Sequence, residues 1–371
     1  MLTKEELAAA VEHVSALGTA SQYQEKFVRE DLLKVNGAAY REDAEGKRLM
    51  IAVIQGMEDF VTRDMIDSVN SERVYLVHSE ICNATAVKLN GREPAVILFT
   101  GLLRALIYFM EVRHVVGVIA GELKAPSPRI EISRNELSIL SFRAMMLLCH
   151  SVATRSRLVR VGGFLPDKSK SSLALIFARA FWFLLMHEIG HVRLNHFDCR
   201  TGSDAAGPPA LAVGEDINDR KLQEFEADGY YLSTLTKGSL HYSLNYVLDI
   251  LTIFSFLENH LRSSSASHPM AINRLEHILG RYGKPEDTFI LDRARTLIES
   301  EKRARQTAEE IFKESGGWPR LDAFATRAQS VDAAGQLVDL LAAIREPEGN
   351  KPVEDGASLP QFWEKLVARW W

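Results

Sequence analysis

The chain has 371 residues, of which 46% are apolar and 25% charged, with a formal net charge of −5 and a pI of about 6.2. Such a composition suits a globular protein with a sizeable core, and the length is a soft prior for about two domains. The slightly acidic balance excludes the broadly basic surface of a nucleic-acid-binding domain, so no nucleic-acid partner is expected.

The first residues, MLTKEELAAAVEHV, are charged and amphipathic and lack the basic start and apolar core of a signal peptide, which predicts a cytoplasmic location. Residues 3–16 read as a short helix and 40–69 as a longer helical stretch, with Leu49, Val53, Met57, Phe60 and Val61 near a 3.6 period. The texture then changes to β-rich over 73–103. Asn90-Gly91 is a turn signal between Ala84–Leu89 and Ala95–Phe99 and predicts a hairpin. Helices resume near Leu102 and over 135–158, followed by a polar connector at 162–171 and a dense apolar helix over 172–197. An irregular stretch at 198–219 follows, of a length that is usually functional, and is read as a lid. Further helices are expected over 220–236, 239–262 and 269–280, with two amphipathic ones across 286–345. After a linker-like break at 345–360 the chain closes on a short helix bearing Trp363, Trp370 and Trp371. The fold class expected is α+β and mainly helical, with a small antiparallel hairpin or sheet. It divides into an N-terminal helical region (1–70), a central domain (71–285) and a C-terminal helical extension (286–371).

Two apolar runs, 172–186 and 242–257, are interrupted by Arg179 and Asp249 and fall short of the ~20 residues that span a bilayer, so they are read as buried core helices. Cys82, Cys149 and Cys199 are odd in number and form no CxxC pair, which fits free thiols in a reducing cytosol.

The chemistry concentrates in FWFLLMHEIGHVRLNHF, residues 181–197. His187 and His191 are four apart, which on a helix puts both imidazoles on one face, one turn apart. Glu188 lies beside the first of them. This is the H-E-x-x-H arrangement of a catalytic zinc site: two nitrogen ligands, and a carboxylate placed to act as general base on a water whose pKa the Zn2+ lowers. A third ligand is required downstream, and KLQEFEADGYY (221–231) supplies it. Glu224 and Asp228 are also four apart and share a face. Glu226 lies about 200° round the helix axis from Glu224 and does not share it. Glu224 is therefore read as the third ligand and Asp228 as the carboxylate that accepts a ligand histidine's other N–H.

HEIGH followed by Glu224-Phe-Glu-Ala-Asp228 resembles the gluzincin metallopeptidases of the CaaX-protease/HtpX type. CNATAVKLNGREPAVILFTGLL resembles that family's corresponding segment through Asn83-Ala84 and Gly101-Leu102-Leu103, and SHPMAINRLEHI resembles its HP…R segment through His268, Pro269 and Arg274. His196 matches the family's habit of a histidine after the motif. It also suits the dipole at a helix end. HtpX-type enzymes are membrane proteins, and the soluble relatives that resemble this chain are the phage-exclusion (Lit) type and the ImmA/IrrE type. The resemblance implies a zincin-like domain over 71–285, catalytic roles for His268 and Arg274 beside Glu188, and substrate binding at Asn83 and Ala84. Zincin clefts also hold substrate as an added strand on a sheet edge.

These readings converge on a soluble zinc endopeptidase acting on a protein or peptide substrate, in a stress-response or phage-defence setting. An alternative is a zinc-containing regulatory or scaffold protein without proteolytic activity. Glu188 argues against it, because a pure binding site has no need of a base. A third reading is a helical interaction module in which HEIGH is an accident.

Overall fold

A computed structural model of the chain describes residues 46–48, 51, 74–77, 82–87, 94–124, 131–154, 158, 160–161, 165–196, 215–235, 240–261, 269–282, 288–314, 320–344 and 359–370. The helices expected at 3–16 and over most of 40–69, the Asn90-Gly91 turn, most of the 198–219 stretch and the 345–358 break lie outside the described residues.

The described chain is mostly helical with one small sheet. Three strands, β1 (Val74–Val77), β2 (Ala84–Val87) and β3 (Ala95–Phe99), line up in the order β1-β3-β2. β2 and β3 pair antiparallel, Ala84 opposite Leu98, as the hairpin reading expects. The sheet is mixed rather than antiparallel, however, because β1 pairs parallel with β3, Val74 opposite Val96. The reason lies in β3: its run Ala-Val-Ile-Leu-Phe is buried at every position, so both its edges must be covered, and β1 takes the side that β2 leaves open.

Nine helices of nine or more residues follow among the described residues: α1 (Thr100–Glu122), α2 (Arg134–Thr154), α3 (Asp167–Arg193), α4 (Glu215–Ser233), α5 (Leu240–Leu261), α6 (Ala271–Tyr282), α7 (Thr288–Glu314), α8 (Arg327–Ile344) and α9 (Leu359–Trp370). Three boundaries differ by several residues from the sequence reading. α3 starts at Asp167, inside the expected connector, because Asp167 supplies an acidic first turn and Ser171 and Ser172 return their hydroxyls to the carbonyls four residues back. It stops at Arg193 rather than 197. Likewise α4 begins at Glu215, so residues 215–219 of the expected irregular stretch are helical.

The chain divides into two compact units. The first comprises residues 1–79, 83–99 and 178–310, and includes the sheet, the second part of α3, and α4 to α7. Its helices are tied by polar pairs as well as apolar contact. The Glu258 carboxylate of α5 accepts the Ala271 N–H at the start of α6 (3.1 Å), and ion pairs join Arg293 to Asp249 (2.8 Å) and Lys302 to Glu276 (2.7 Å).

The second unit comprises 80–82, 100–177 and 311–371. There α1, α2, α8 and α9 pack together around Leu103, Leu106, Met146, Leu147, Leu337 and Trp363. Ser133 and Glu136 form a reciprocal capping box at the start of α2, and Thr326 and Gln329 form another at α8. Trp363 is fully buried, edge-on to Phe177 at 6.2 Å, and Lys170 pairs with Glu364 at 2.7 Å. The closing helix thus packs back on its own unit.

Among the described residues, α2 and α3 are long and apolar enough to cross a membrane by length and composition. The 172–186 run therefore sits in a helix of 27 residues, not a short one, but 89% of its most apolar window is buried inside the protein. The 242–257 run lies in α5. Cys82 and Cys149 are free thiols, and Cys199 lies outside the described residues.

Candidate active site

The site belongs to the first unit and is built where α3, α4 and α6 meet. On α3, the four-residue spacing puts His187 and His191 on one face, their rings 4.8 Å apart and near-perpendicular. α4 lies close against that face because two small residues meet there. A Cβ built on Gly190 would stand 3.1 Å from Ala227 Cα and 3.2 Å from its carbonyl oxygen. That approach brings Glu224, one turn before Ala227, to the histidine pair.

Donor atoms of three residues then converge. His187 Nε2 lies 3.2 Å from His191 Nε2 and 3.3 Å from Glu224 Oε2, and His191 Nε2 lies 3.5 Å from Glu224 Oε1. Four donors placed tetrahedrally at about 2.0–2.1 Å from a zinc ion stand about 3.3–3.4 Å from one another. The His187–His191 and His187–Glu224 approaches match those edges, His191 reaches the other oxygen of the Glu224 carboxylate, and one donor atom from each residue lies within 4.8 Å of the others, close enough to hold one ion. The chemistry of the set agrees. His187 Nδ1 is 2.9 Å from Asp228 Oδ1, which assigns its proton to Nδ1 and turns the Nε2 lone pair into the triangle.

Arg274, on α6, holds Asp228 in place. Its Nε donates to Asp228 Oδ2 (2.9 Å) and its Nη2 to Oδ1 (2.6 Å), a two-pronged pair, and Nη1 approaches Glu224 Oε2 at 3.8 Å. Arg274 Nη2 also lies 3.3 Å from His187 Nδ1. Both atoms carry protons in this arrangement, so the contact is a side-by-side approach of two donors to Asp228 Oδ1. Asp228 is completely buried and Arg274 nearly so. Burial alone would raise the Asp228 carboxyl, but Arg274 and His187 hold it below the usual carboxylate range. For His187 in the metal-free site, burial and Arg274 pull downward while the hydrogen bonds to Asp228 and Glu224 push upward, and the balance raises it to about 9, so a metal bound there displaces the Nε2 proton.

Glu188 points elsewhere, toward the sheet. Its carboxylate accepts the backbone N–H of Ala86 on β2. Burial raises it to about 7, with Glu224 adding to the rise and His187, Arg274 and the Ala86 N–H opposing it. A carboxyl poised near neutrality is suited to take and return a proton at physiological pH.

β2 is an edge strand among the described residues. The Phe99 N–H donates to Asn83 O at 3.3 Å, so Asn83, Thr85 and Val87 turn their main chain inward to β3. Ala84 and Ala86 turn theirs outward, which is why Ala86 reaches Glu188. Asn83 and Ala84, expected to bind substrate, stand at the start of this edge. His268 lies outside the described residues.

Two residues that the sequence reading set aside also enter. His196 Nδ1 lies 2.9 Å from His191 Nδ1, and His196 Nε2 lies 3.1 Å from Glu226 Oε2. Burial holds the His196 imidazole below its ordinary value. Glu226 is off the Glu224 face, as the helical spacing requires, yet it faces the end of α3. The available signal was Asn195, a residue suited to ending a helix before 197.

Comparison with known proteins adds a family. The family model described as Peptidase U49 matches residues 162–294, about a third of the chain. No curated protein and no solved structure matches the chain. The matched segment carries His187, Glu188, His191, Glu224, Asp228 and Arg274, and over that segment the chain is similar to a family of peptidases.

Proposed function

We propose that the chain is a zinc-dependent endopeptidase of the gluzincin kind, with a zincin-like domain, that hydrolyses peptide bonds of a protein substrate. The observation that carries this reading is the convergence of His187, His191 and Glu224, one donor atom from each within 4.8 Å of the others, with Glu188 next in sequence to the first of them. The peptidase family match over 162–294 supports the reaction class.

In this reading His187, His191 and Glu224 hold the ion. Bound there, zinc supplies Lewis-acid polarisation and an acidic water. Glu188 takes the proton from water on its carboxylate and returns it to the leaving amine. Asp228 keeps the proton of His187 on Nδ1, and Arg274 fixes Asp228, a positioning role. His268 would serve as a further catalytic group by resemblance. The outward N–H and C=O of Ala84 and the outward C=O of Ala86 face an extended substrate, which would add as a strand on β2, so side-chain demand on the substrate is small.

The burial of the apolar helix α3 supports reading it as a core helix rather than a membrane span, and the cytosolic setting rests on the N-terminal sequence alone. The stress-response or phage-defence setting rests on resemblance to the soluble families alone.

The test is metal analysis of wild type and Glu188→Gln together with a cleavage assay on unfolded protein substrates. One zinc per chain in both, with cleavage by wild type only, is the expected result. Zinc in both with cleavage by neither would favour the regulatory or scaffold reading, and a metal-free wild type would overturn the ligand assignment.

A further inference from the structure

The two histidines of the triangle are supported from behind by different machinery. His187 has Asp228 and Arg274. His191 has His196 and then Glu226, in a chain of contacts that runs 2.9 Å from ring to ring and 3.1 Å from ring to carboxylate. Two ring nitrogens at 2.9 Å must share one proton between them. His191 turns Nε2 toward His187 and Glu224, so its proton sits on Nδ1 and His196 Nδ1 accepts it. His196 then carries its own proton on Nε2 and donates it to Glu226.

The backbone builds this arrangement at the end of α3. Asn195 has φ 56°, in the left-handed region. The His196 N–H donates to the His191 carbonyl (3.0 Å) and the Asn195 N–H to the Val192 carbonyl (3.2 Å). These are the 6→1 and 5→2 bonds of a Schellman ending, with Asn195 as the left-handed residue. The 6→1 bond ties His196 to His191 through the main chain, and the same fold-back sets their rings 5.0 Å apart at 70°. The His196 side chain is only 7% exposed. His196 is not an additional ligand here, since its contact is with the nitrogen of His191 that faces away from the triangle.

We propose that His196 is a positioning residue of the metal centre, holding His191 in its Nδ1–H tautomer and ring orientation, with Glu226 on α4 orienting His196 in turn. The proposal rests on the reading of His187, His191 and Glu224 as zinc ligands. Glu226 is half exposed, so solvent screens it and His196 carries the larger share. Together they also tie the end of one ligand-bearing helix to the other, as Asp228 and Arg274 do on the opposite side.

The experiment uses the full chain and measures zinc affinity by competition with a chromogenic chelator, in wild type and in His196→Ala, His196→Asn, Asn195→Gly and Asn195→Val. His196→Ala is expected to weaken zinc binding about 10–100-fold. His196→Asn restores most of that loss, because its amide oxygen takes the place of Nδ1 and accepts the same proton. Asn195→Gly leaves affinity unchanged, since glycine adopts positive φ freely, whereas Asn195→Val behaves like His196→Ala. The 15N shifts of the His191 ring in the zinc-loaded protein should show a single Nδ1–H form in wild type and a mixture in His196→Ala. Wild-type affinity in His196→Ala, or no recovery in His196→Asn, overturns the proposal. Should His196→Ala fail to fold, the contrast between Asn195→Gly and Asn195→Val decides it, and equal affinity in that pair overturns it. A wild type that binds no zinc removes the ligand assignment, and the proposal with it, whatever the variants do.

Discussion

Asp228 and Arg274 form a two-pronged ion pair, 2.9 and 2.6 Å, in a setting where Asp228 has no exposed surface and Arg274 only 7%. Removing one partner of such a pair leaves a buried charge uncompensated, at a cost of about 3–5 kcal/mol. Arg274→Met is therefore expected to lower stability by about that much in urea denaturation. The double variant Arg274→Met, Asp228→Asn should lose less than the two single changes together. Additive losses would show that the pair is not coupled.

Zinc retention separates the two glutamates of α4. Glu224→Ala removes a corner of the donor triangle and is expected to purify with far less than one zinc per chain. Glu226→Ala acts only through His196 and keeps most of its metal. Equal occupancy in the two variants would remove Glu224 from the ligand set.

Gly190 tests how the helices are held together. A methyl group there meets backbone atoms of Ala227 at 3.1–3.2 Å, which cannot swing aside. Gly190→Ala should cost about 1–3 kcal/mol by overpacking and weaken zinc binding by spreading the triangle. Gly117→Ala in α1 is the control: nothing lies within 4 Å of the added methyl, and the helix gains about 0.5–1 kcal/mol. A neutral Gly190→Ala would mean that the α3–α4 distance is set elsewhere.

His260 gives a pH dependence. It is buried, with Nδ1 2.8 Å from the Phe256 carbonyl, and burial holds it below its ordinary value. The unfolded chain therefore binds more protons than the folded one between the two values. Its contribution to stability is complete above pH of about 6.5 and is lost as pH falls through the folded value. Urea midpoints should drop between pH 8 and pH 5, and His260→Gln should flatten part of that slope. An unchanged slope would assign the acid sensitivity to other groups.

In the second unit, Trp363 fills the core against Phe177. Trp363→Ala is expected to cost about 3–5 kcal/mol, read as a lowered melting temperature. A wild-type melting temperature would argue against this packing.

Much of this architecture is legible along the chain, and the parts that are not share a cause. The helical stretches read along the chain fall on α1 to α9, and the four-residue spacings of His187 with His191 and Glu224 with Asp228 specify shared faces, because helix geometry is local. The parallel pairing of β1 with β3 is not legible, since it depends on which edge of a buried strand needs cover. The end of α3 was misplaced because the apolar period runs on to His196, while the turn is decided by one left-handed residue, Asn195. Glu226 was excluded by comparison with Glu224 on its own helix. Its partner sits on another helix, and no single-helix argument sees across the gap. The capping boxes Ser133–Glu136 and Thr326–Gln329 were readable as S-x-x-E and T-x-x-Q patterns, and they mark the starts of α2 and α8 within a residue.

The close meeting of Gly190 and Ala227 also bears on how this chain tolerates insertion. The register of α3 against α4 is set by that contact, so it does not depend on the number of residues joining them. Doubling the length of a connection costs only about 0.6 kcal/mol in closure entropy. The connection between His196 and Glu215 can therefore lengthen or diverge among related chains while the donors keep their spacing, which makes it a place where new recognition sequences can be acquired without disturbing the chemistry.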